Sequence, residues 1–188
     1  EIKDILAYLN YLINPEDTVS FERILNVPKR GIGESTLQKL RDYANKNEIS
    51  LSKSIENLDE INNLSDRVKK QINNFKEIIN DLKSFALQGP SETISKTLEL
   101  TGYKDELVKE GTLDSQMRLE NLDELLTSAF EFENLYEEDI EDPFTVLRDY
   151  LESIALFTDS DDVDKEDRIL LMTLHNAKGL EFPVVFMT

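Results

Sequence analysis

Apolar residues recur every three or four positions along most of this chain, which is the spacing of helices that pack one face against a core. The longest stripe predicts a helix over about 64–87 and comprises Leu64, Val68, Ile72, Phe75, Ile79 and Leu82. The same spacing predicts shorter helices over about 1–13, 19–25, 34–47, 50–57, 91–102, 103–110, 114–136 and 143–156. In the helix over 114–136 we expect these side chains to face inward: Met117, Leu119, Leu122, Leu126 and Ala129.

From Arg168 onward the pattern changes. The segments ILLMTL and PVVFM are continuous apolar runs that suit buried strands, and the polar, glycine-containing HNAKGLEF lies between them. Two buried strands around a short turn are typical of the edge of an α/β unit. Because no similar segment occurs elsewhere, we expect a helical body followed by a short two-strand piece of an incomplete α/β domain.

Composition excludes several classes of site. The 188 residues include no cysteine and one histidine, so neither a disulfide framework nor a thiolate or multi-histidine metal site is expected. The longest apolar runs are far too short to span a bilayer. No signal peptide is evident at Glu1. We therefore expect a soluble, cytoplasmic protein with no membrane partner.

The charge of the chain is strongly negative, at -18. Phosphate binding needs clustered lysine and arginine, so the net charge alone argues against nucleic acid as a partner. The acids are concentrated, however, with seven in 131–142 and six in 159–167, and the second run predicts a loop. Residues 29–41 reverse the balance, with four bases against Glu34. Salt screens charges beyond roughly 8 Å, so this segment could bind an anion locally.

The stretch VPKRGIGEST, residues 27–36, combines that basic charge with a glycine-rich turn between two predicted helices. The glycines allow a positive φ and a close approach of the backbone, and the following helix presents unpaired N–H groups that accept phosphate oxygens. Ile32 lies where it can anchor the turn to the core. This arrangement favours a helix-hairpin-helix element that grips the DNA backbone. On spacing alone, however, a tight interhelical turn with a solvated Lys-Arg pair is favoured over that element, because short glycine motifs match by chance.

Four segments resemble the UvrD/PcrA/Rep family of superfamily 1 DNA helicases, in family order. LMTLHNAKGLEFPVVFMT at 171–188 is similar to motif V of that family. EIKDILAYL at 1–9 resembles the segment that leads into subdomain 2B, and FERILNVPKRGIGESTLQKL at 21–40 resembles the hairpin inside it. RLENLDEL at 118–125 is similar to another run of the same subdomain. The middle of the chain, about 48–110, is only loosely similar.

The resemblance implies a domain plan for the chain. Residues 1–14 would be a connecting helix from the RecA-like subdomain 2A, and 15–158 a helical 2B-like subdomain. Residues 159–167 would be an acidic linker, and 168–188 a partial RecA-like 2A segment carrying motif V. The parent protein would be an ATP-dependent 3′–5′ DNA helicase that uses ATP and Mg²⁺. Its partners would be duplex junctions, single-stranded DNA, the other helicase subdomains, and repair or replication proteins.

The resemblance also implies roles for individual residues. Contact with duplex DNA would fall to Lys29, Arg30, Gly31, Ile32, Gly33, Ser35 and Thr36. In motif V, Thr173 and His175 would contact the single strand. Lys178 and Gly179 would couple DNA to nucleotide, and Glu181 would bind the ATP ribose. Taken singly, each residue also fits packing, a turn or a solvated charge. A helical protein-interaction module that presents an acidic face to a basic partner remains the alternative function.

We expect the polypeptide of residues 1–188 to be inactive on its own. It contains no G-x-x-x-x-G-K-[ST] loop to cradle phosphates, and no acid pair is placed to bind magnesium. Neither ATP hydrolysis nor unwinding should therefore be detectable. Steady-state phosphate release with and without DNA tests this expectation, and DNA-stimulated turnover above the blank would show it to be wrong.

Overall fold

The structure, a computed structural model, describes residues 1–136 and 144–159, with side chains as far as Leu156. The described residues form nine α-helices and one 3₁₀ turn, Leu58–Glu60. The helices are α1 Ile2–Ile13, α2 Thr18–Leu25, α3 Glu34–Lys46, α4 Leu51–Ser54, α5 Asp66–Ala86, α6 Pro90–Leu100, α7 Tyr103–Glu110, α8 Leu113–Leu135 and α9 Thr145–Asp159. The prediction of a mainly α fold is confirmed for this part of the chain.

Helix α1 lies at the centre of the packing. It contacts α2, α5, α6, α8 and α9, and Ile5, Tyr8 and Leu9 are completely inaccessible to solvent. Full burial of one such apolar side chain contributes about 1.5–3 kcal/mol. The segment predicted to connect to another subdomain is therefore also the helix around which the others assemble.

Helix α5 confirms the long stripe in its central and C-terminal turns. Ile72, Phe75, Ile79 and Leu82 are buried, and the helix packs against α1 and α6. Leu64 is only partly buried because it precedes the helix, whose N-cap is Ser65. The Ser65 side chain accepts a hydrogen bond from the Val68 amide, as serine commonly does at this position.

Helix α8 differs in part from the predicted stripe. Leu122 and Ala129 are buried as expected, and Leu125 joins them. Met117 is 45% exposed, so the expectation that it faces the core is wrong. At 100° per residue Met117 lies about 140° around the helix from Leu122 and about 120° from Ala129. It is therefore outside the face that these two residues bury.

The two-strand piece and motif V lie outside the described residues, as does most of the acidic linker. The described residues include no strand. The subdomain boundaries at 14, 158 and 167 stay predictions. None of the described helices combines the length and the apolar character that crossing a bilayer requires.

The N-terminus of α6 is capped by a residue from a distant helix. The Ser91 amide donates to Glu133 Oε1 at 2.7 Å, and the Ser91 hydroxyl donates to Oε2 at 2.5 Å. A carboxylate is favoured at this end of a helix by the helix dipole. Gly89, which precedes α6, has a φ of 119° and lies directly against that carboxylate. A Cβ there would overlap Glu133 Oε1, so the Glu133 side chain would have to shift and weaken its bonds to Ser91.

Replacing Gly89 by alanine should therefore destabilise the fold more than the same change at Gly102. Gly102 also has a positive φ, of 73°, but a Cβ there meets nothing within 4 Å. We expect Gly89→Ala to lower the free energy of unfolding by about 2–3 kcal/mol, and Gly102→Ala by about 1 kcal/mol. Urea unfolding of both variants measures the difference. Equal losses would contradict the proposed contact with Glu133.

Candidate nucleic-acid interface

The turn that joins α2 to α3, residues 26–33, is called the hairpin below. Gly31 has a φ of 75°, in the left-handed region that favours glycine, and Gly33 is the extended N-cap of α3. Both glycines are exposed, and a Cβ at either position would meet nothing within 4 Å. The Val27-Pro28 peptide bond is cis. The backbone at the two glycines is thus open to an approaching molecule.

Asn26 closes the hairpin from the inside. Its Oδ1 accepts hydrogen bonds from the Arg30 amide at 2.9 Å and from the Ile32 amide at 3.0 Å. These two amides flank Gly31, so one side-chain oxygen fixes the path of the chain across the turn. Ile32 is 3% exposed and belongs to the core. The expectation that it anchors the turn is confirmed.

The Arg30 guanidinium points into the protein. Nη1 donates to the carbonyl oxygens of Ile24 at 2.9 Å and Val27 at 3.0 Å, and Nη2 donates to the Tyr8 hydroxyl at 2.6 Å. The guanidinium carbon lies 5.3 Å from the centre of the Phe75 ring. A cation at the C-terminal end of a helix satisfies carbonyls that the helix leaves unpaired and interacts favourably with the dipole. Arg30 therefore caps α2.

Tyr8 ties this cap to α1. Its hydroxyl donates to the Val27 carbonyl oxygen at 2.5 Å and accepts the bond from Arg30. Burial is the main cause that raises the pKa of Tyr8 to about 12, so the phenol keeps its proton at neutral pH. The hairpin is thereby fixed to the central helix.

Arg41 braces α2 against α3 beside the hairpin. Its Nε and Nη2 donate to the two carboxylate oxygens of Glu22, both at 2.8 Å, and its Nη1 donates to Glu34 Oε1 at 2.7 Å. Hydrogen bonds from Arg41 hold the pKa of Glu22 below its usual value. The same contacts raise the pKa of Arg41 further above its ordinary range. This bidentate geometry is the strong form of an arginine–carboxylate pair.

The basic charge of residues 29–41 is therefore largely engaged inside the protein. Arg30 and Arg41 are paired as described, and Lys39 Nζ donates to the Asn63 carbonyl oxygen at 2.7 Å. Lys29 is exposed, and the described residues provide no hydrogen-bond or ion-pair partner for its side chain. The local excess of positive charge expected from the sequence is thus available to a ligand mainly through Lys29.

The exposed residues close to Lys29 in sequence are Gly31, Gly33, Glu34 and Ser35. Lys29, Gly31, Gly33 and Ser35 are called the hairpin corner. The first amides of α3 lie here, and the helix pairs them from Thr36 onward, because the Thr36 amide bonds to the Gly33 carbonyl oxygen. Thr36 itself is buried, with 8% of the residue exposed. A helix start of this kind can accept an anion.

The whole of the chain, residues 1–188, matches the family described as "UvrD-like helicase C-terminal domain". The chain belongs to this family. It is 40% identical over 188 residues to the ATP-dependent DNA helicase PcrA of Staphylococcus aureus strain Mu50 and, equally, to that of Staphylococcus epidermidis strain RP62A. The alignment covers 100% of the chain and 25% of either relative. The chain thus spans about a quarter of the length of these PcrA helicases.

In this UvrD-like chain the second set of predicted site residues lies outside the described residues. The set comprises Thr173, His175, Lys178, Gly179 and Glu181. Their roles stay predictions. Within 1–136 and 144–159, no group of three or more histidine, cysteine, aspartate or glutamate residues is arranged to hold a metal ion.

Sequence reasoning missed three contributors to the hairpin of this UvrD-like domain. Asn26 had a usable signal, since asparagine beside a turn commonly bonds backbone amides a few residues on. Tyr8 and the Glu22–Arg41 pair had none, because they lie 22 and 19 residues from their partners. Only the packing of α1, α2 and α3 brings them together.

Arg30 and Lys29 should differ sharply in their effect on stability. Arg30→Ala removes the bonds of a charged group to the carbonyl oxygens of Ile24 and Val27 and to the Tyr8 hydroxyl. We expect it to lower the free energy of unfolding by about 2–3 kcal/mol. Lys29→Ala removes an exposed side chain, and we expect a change within about 0.5 kcal/mol. Urea unfolding of the two variants provides the comparison. A small effect of Arg30→Ala would contradict its role as a cap.

Proposed function

We propose that the hairpin corner binds the phosphate backbone of duplex DNA, and that the chain serves as a duplex-binding, regulatory subdomain of an ATP-dependent DNA helicase. The observation that carries this proposal is the coincidence of three features at one corner. Lys29 is exposed and unpaired among the described residues, Gly31 and Gly33 leave the backbone open, and α3 starts immediately after them. Membership of the UvrD-like family supports DNA as the ligand.

The chemistry of the corner suits a phosphate group rather than a base. Backbone amides at a helix start and one lysine bind phosphate oxygens without reading sequence. Glu34 opposes this binding, because its carboxylate lies in the first turn of α3, but its bond to Arg41 reduces the repulsion. The net charge of -18 acts in the same unfavourable direction. We therefore expect weak binding whose salt dependence is that of about one phosphate contact.

The proposal for the parent protein extends this role. The hairpin corner holds the duplex ahead of the fork while ATP-driven motor subdomains pull one strand, and the 2B-like body swivels on its two connections to 2A. Thr173 and His175 contact the single strand, Lys178 and Gly179 couple DNA to nucleotide, and Glu181 binds the ribose. ATP and Mg²⁺ belong to the full-length protein, which works in the cytoplasm. The related PcrA proteins are named ATP-dependent DNA helicases, which supports that activity for the parent protein.

A second candidate function is supported by the solvent face of α8. Leu113 and Leu135 are 81% and 80% exposed at its two ends, and Glu120, Glu124 and Glu131 line the face between them. The described residues supply no ion-pair partner for these three carboxylates. An acidic face with exposed apolar ends would suit a basic protein partner. Under this alternative, changes at the hairpin corner would leave binding unaffected.

Lys29→Ala should weaken binding of duplex DNA and flatten its salt dependence. Loss of one phosphate contact reduces the slope of log K against log salt by about 0.9. Lys46→Ala is the matched control, because Lys46 is exposed at the other end of α3 and its loss changes the net charge equally. Fluorescence anisotropy of a labelled blunt duplex, titrated at several low salt concentrations, measures both quantities.

The control separates a local contact from a general charge effect. Lys46→Ala should keep the wild-type slope, because Lys46 lies roughly 18 Å along α3 from the corner and contacts no phosphate bound there. If both variants lose affinity equally, the corner is not the binding site. If the wild-type chain fails to bind duplex even at low salt, the proposed function of this domain is wrong.

A further inference from the structure

Two polar side chains of the hairpin make their hydrogen bonds to groups within the protein. Arg30 donates to carbonyl oxygens of α2 and the hairpin and to Tyr8, while Asn26 accepts from two hairpin amides. Sequence alone places Arg30 beside Lys29 as a second phosphate-binding cation. The structure separates the two residues, because Lys29 is exposed and Arg30 is half-buried over the Phe75 ring.

We infer that Arg30 and Asn26 are positioning residues for the anion site at the hairpin corner: they hold its amides in the binding arrangement and do not contact phosphate themselves. This inference rests on the proposed function, since it specifies how that same site is organised. It gives different roles to the two residues of the Lys29-Arg30 dipeptide. The Lys29 ammonium group attracts the phosphate, and Arg30 fixes the conformation of the hairpin backbone.

The cost of turning Arg30 outward supports this assignment. To reach a duplex, the guanidinium would have to leave the carbonyl oxygens of Ile24 and Val27 and the hydroxyl of Tyr8. Each of these bonds has a charged donor, and such bonds contribute more to stability than bonds between neutral groups. A single charge-assisted bond to an exposed phosphate would not offset the loss of several such bonds. Arg30 therefore stays in its cap when DNA binds.

A substitution at Asn26 tests the effect of hairpin conformation on binding without changing the charge of the site. It bonds the amides on both sides of Gly31 and carries no charge. When Asn26 loses its side-chain oxygen, the corner loses its shape while every cation remains. Arg30→Lys should likewise disturb the conformation of the corner without changing its charge, because a lysine cannot reproduce the planar, multiply bonded geometry of a guanidinium.

The test compares Asn26→Ala, Arg30→Lys and Arg30→Ala with Lys29→Ala in the chain 1–188, with duplex DNA as the probe. Affinity and salt slope are measured by anisotropy at a temperature where urea unfolding and circular dichroism show every variant to be folded. We expect Asn26→Ala and Arg30→Lys to weaken binding about fivefold to tenfold with an unchanged salt slope. Lys29→Ala should reduce the slope by about 0.9. Should Arg30→Ala fail to fold, the other two variants still decide the outcome.

Two results would overturn the inference. If Arg30→Ala reduces the salt slope as Lys29→Ala does, while Arg30→Lys keeps wild-type affinity, then Arg30 contacts phosphate directly. If Asn26→Ala and Arg30→Lys both bind as wild type once folded, the two residues stabilise the fold without shaping the site. Failure of the proposed function has a different signature, because then the wild-type chain does not bind or Lys29→Ala has no effect.

Discussion

The carbonyl oxygens where α2 ends need hydrogen-bond donors from other parts of the chain. Arg30 of the hairpin and the Tyr8 hydroxyl of the central helix α1 supply them. A capped helix end and a fixed turn thus come from the same side chain. Because α1 packs against five other helices, the position of the hairpin depends on the core of the whole domain.

Most of the positive charge near the hairpin is likewise used in contacts within the chain. Arg30 and Arg41 neutralise helix ends and carboxylates within the protein, and Lys29 is left facing solvent. Counting bases along 29–41 overstates the attraction that an anion would meet. The affinity of the corner therefore depends more on the arrangement of the amides around Gly31 and Gly33 than on net charge. Such an arrangement can act locally in a molecule of charge -18.

Helical spacing, prolines and glycines were sufficient to predict the helices that the structure describes, because those signals are local. Long-range contacts were not predictable: Tyr8 meets Arg30 across 22 positions, and Glu133 caps α6 from 42 positions away. The family could be inferred from the resemblance of segments at 1–9, 21–40, 118–125 and 171–188, and the match over 1–188 confirms it. Sequence could not show which of the seven residues proposed to bind duplex within 29–36 face solvent, since that depends on tertiary packing.

The most direct measurement is a titration of isotopically labelled chain with a short duplex at low salt, followed through backbone amide chemical shifts. Our account predicts that the largest shifts fall on Gly31, Gly33 and Ser35, while the Arg30 side-chain Nε–H signal stays near its free position. Shifts concentrated on α8, or a large movement of the Arg30 signal with little change at the two glycines, would contradict it.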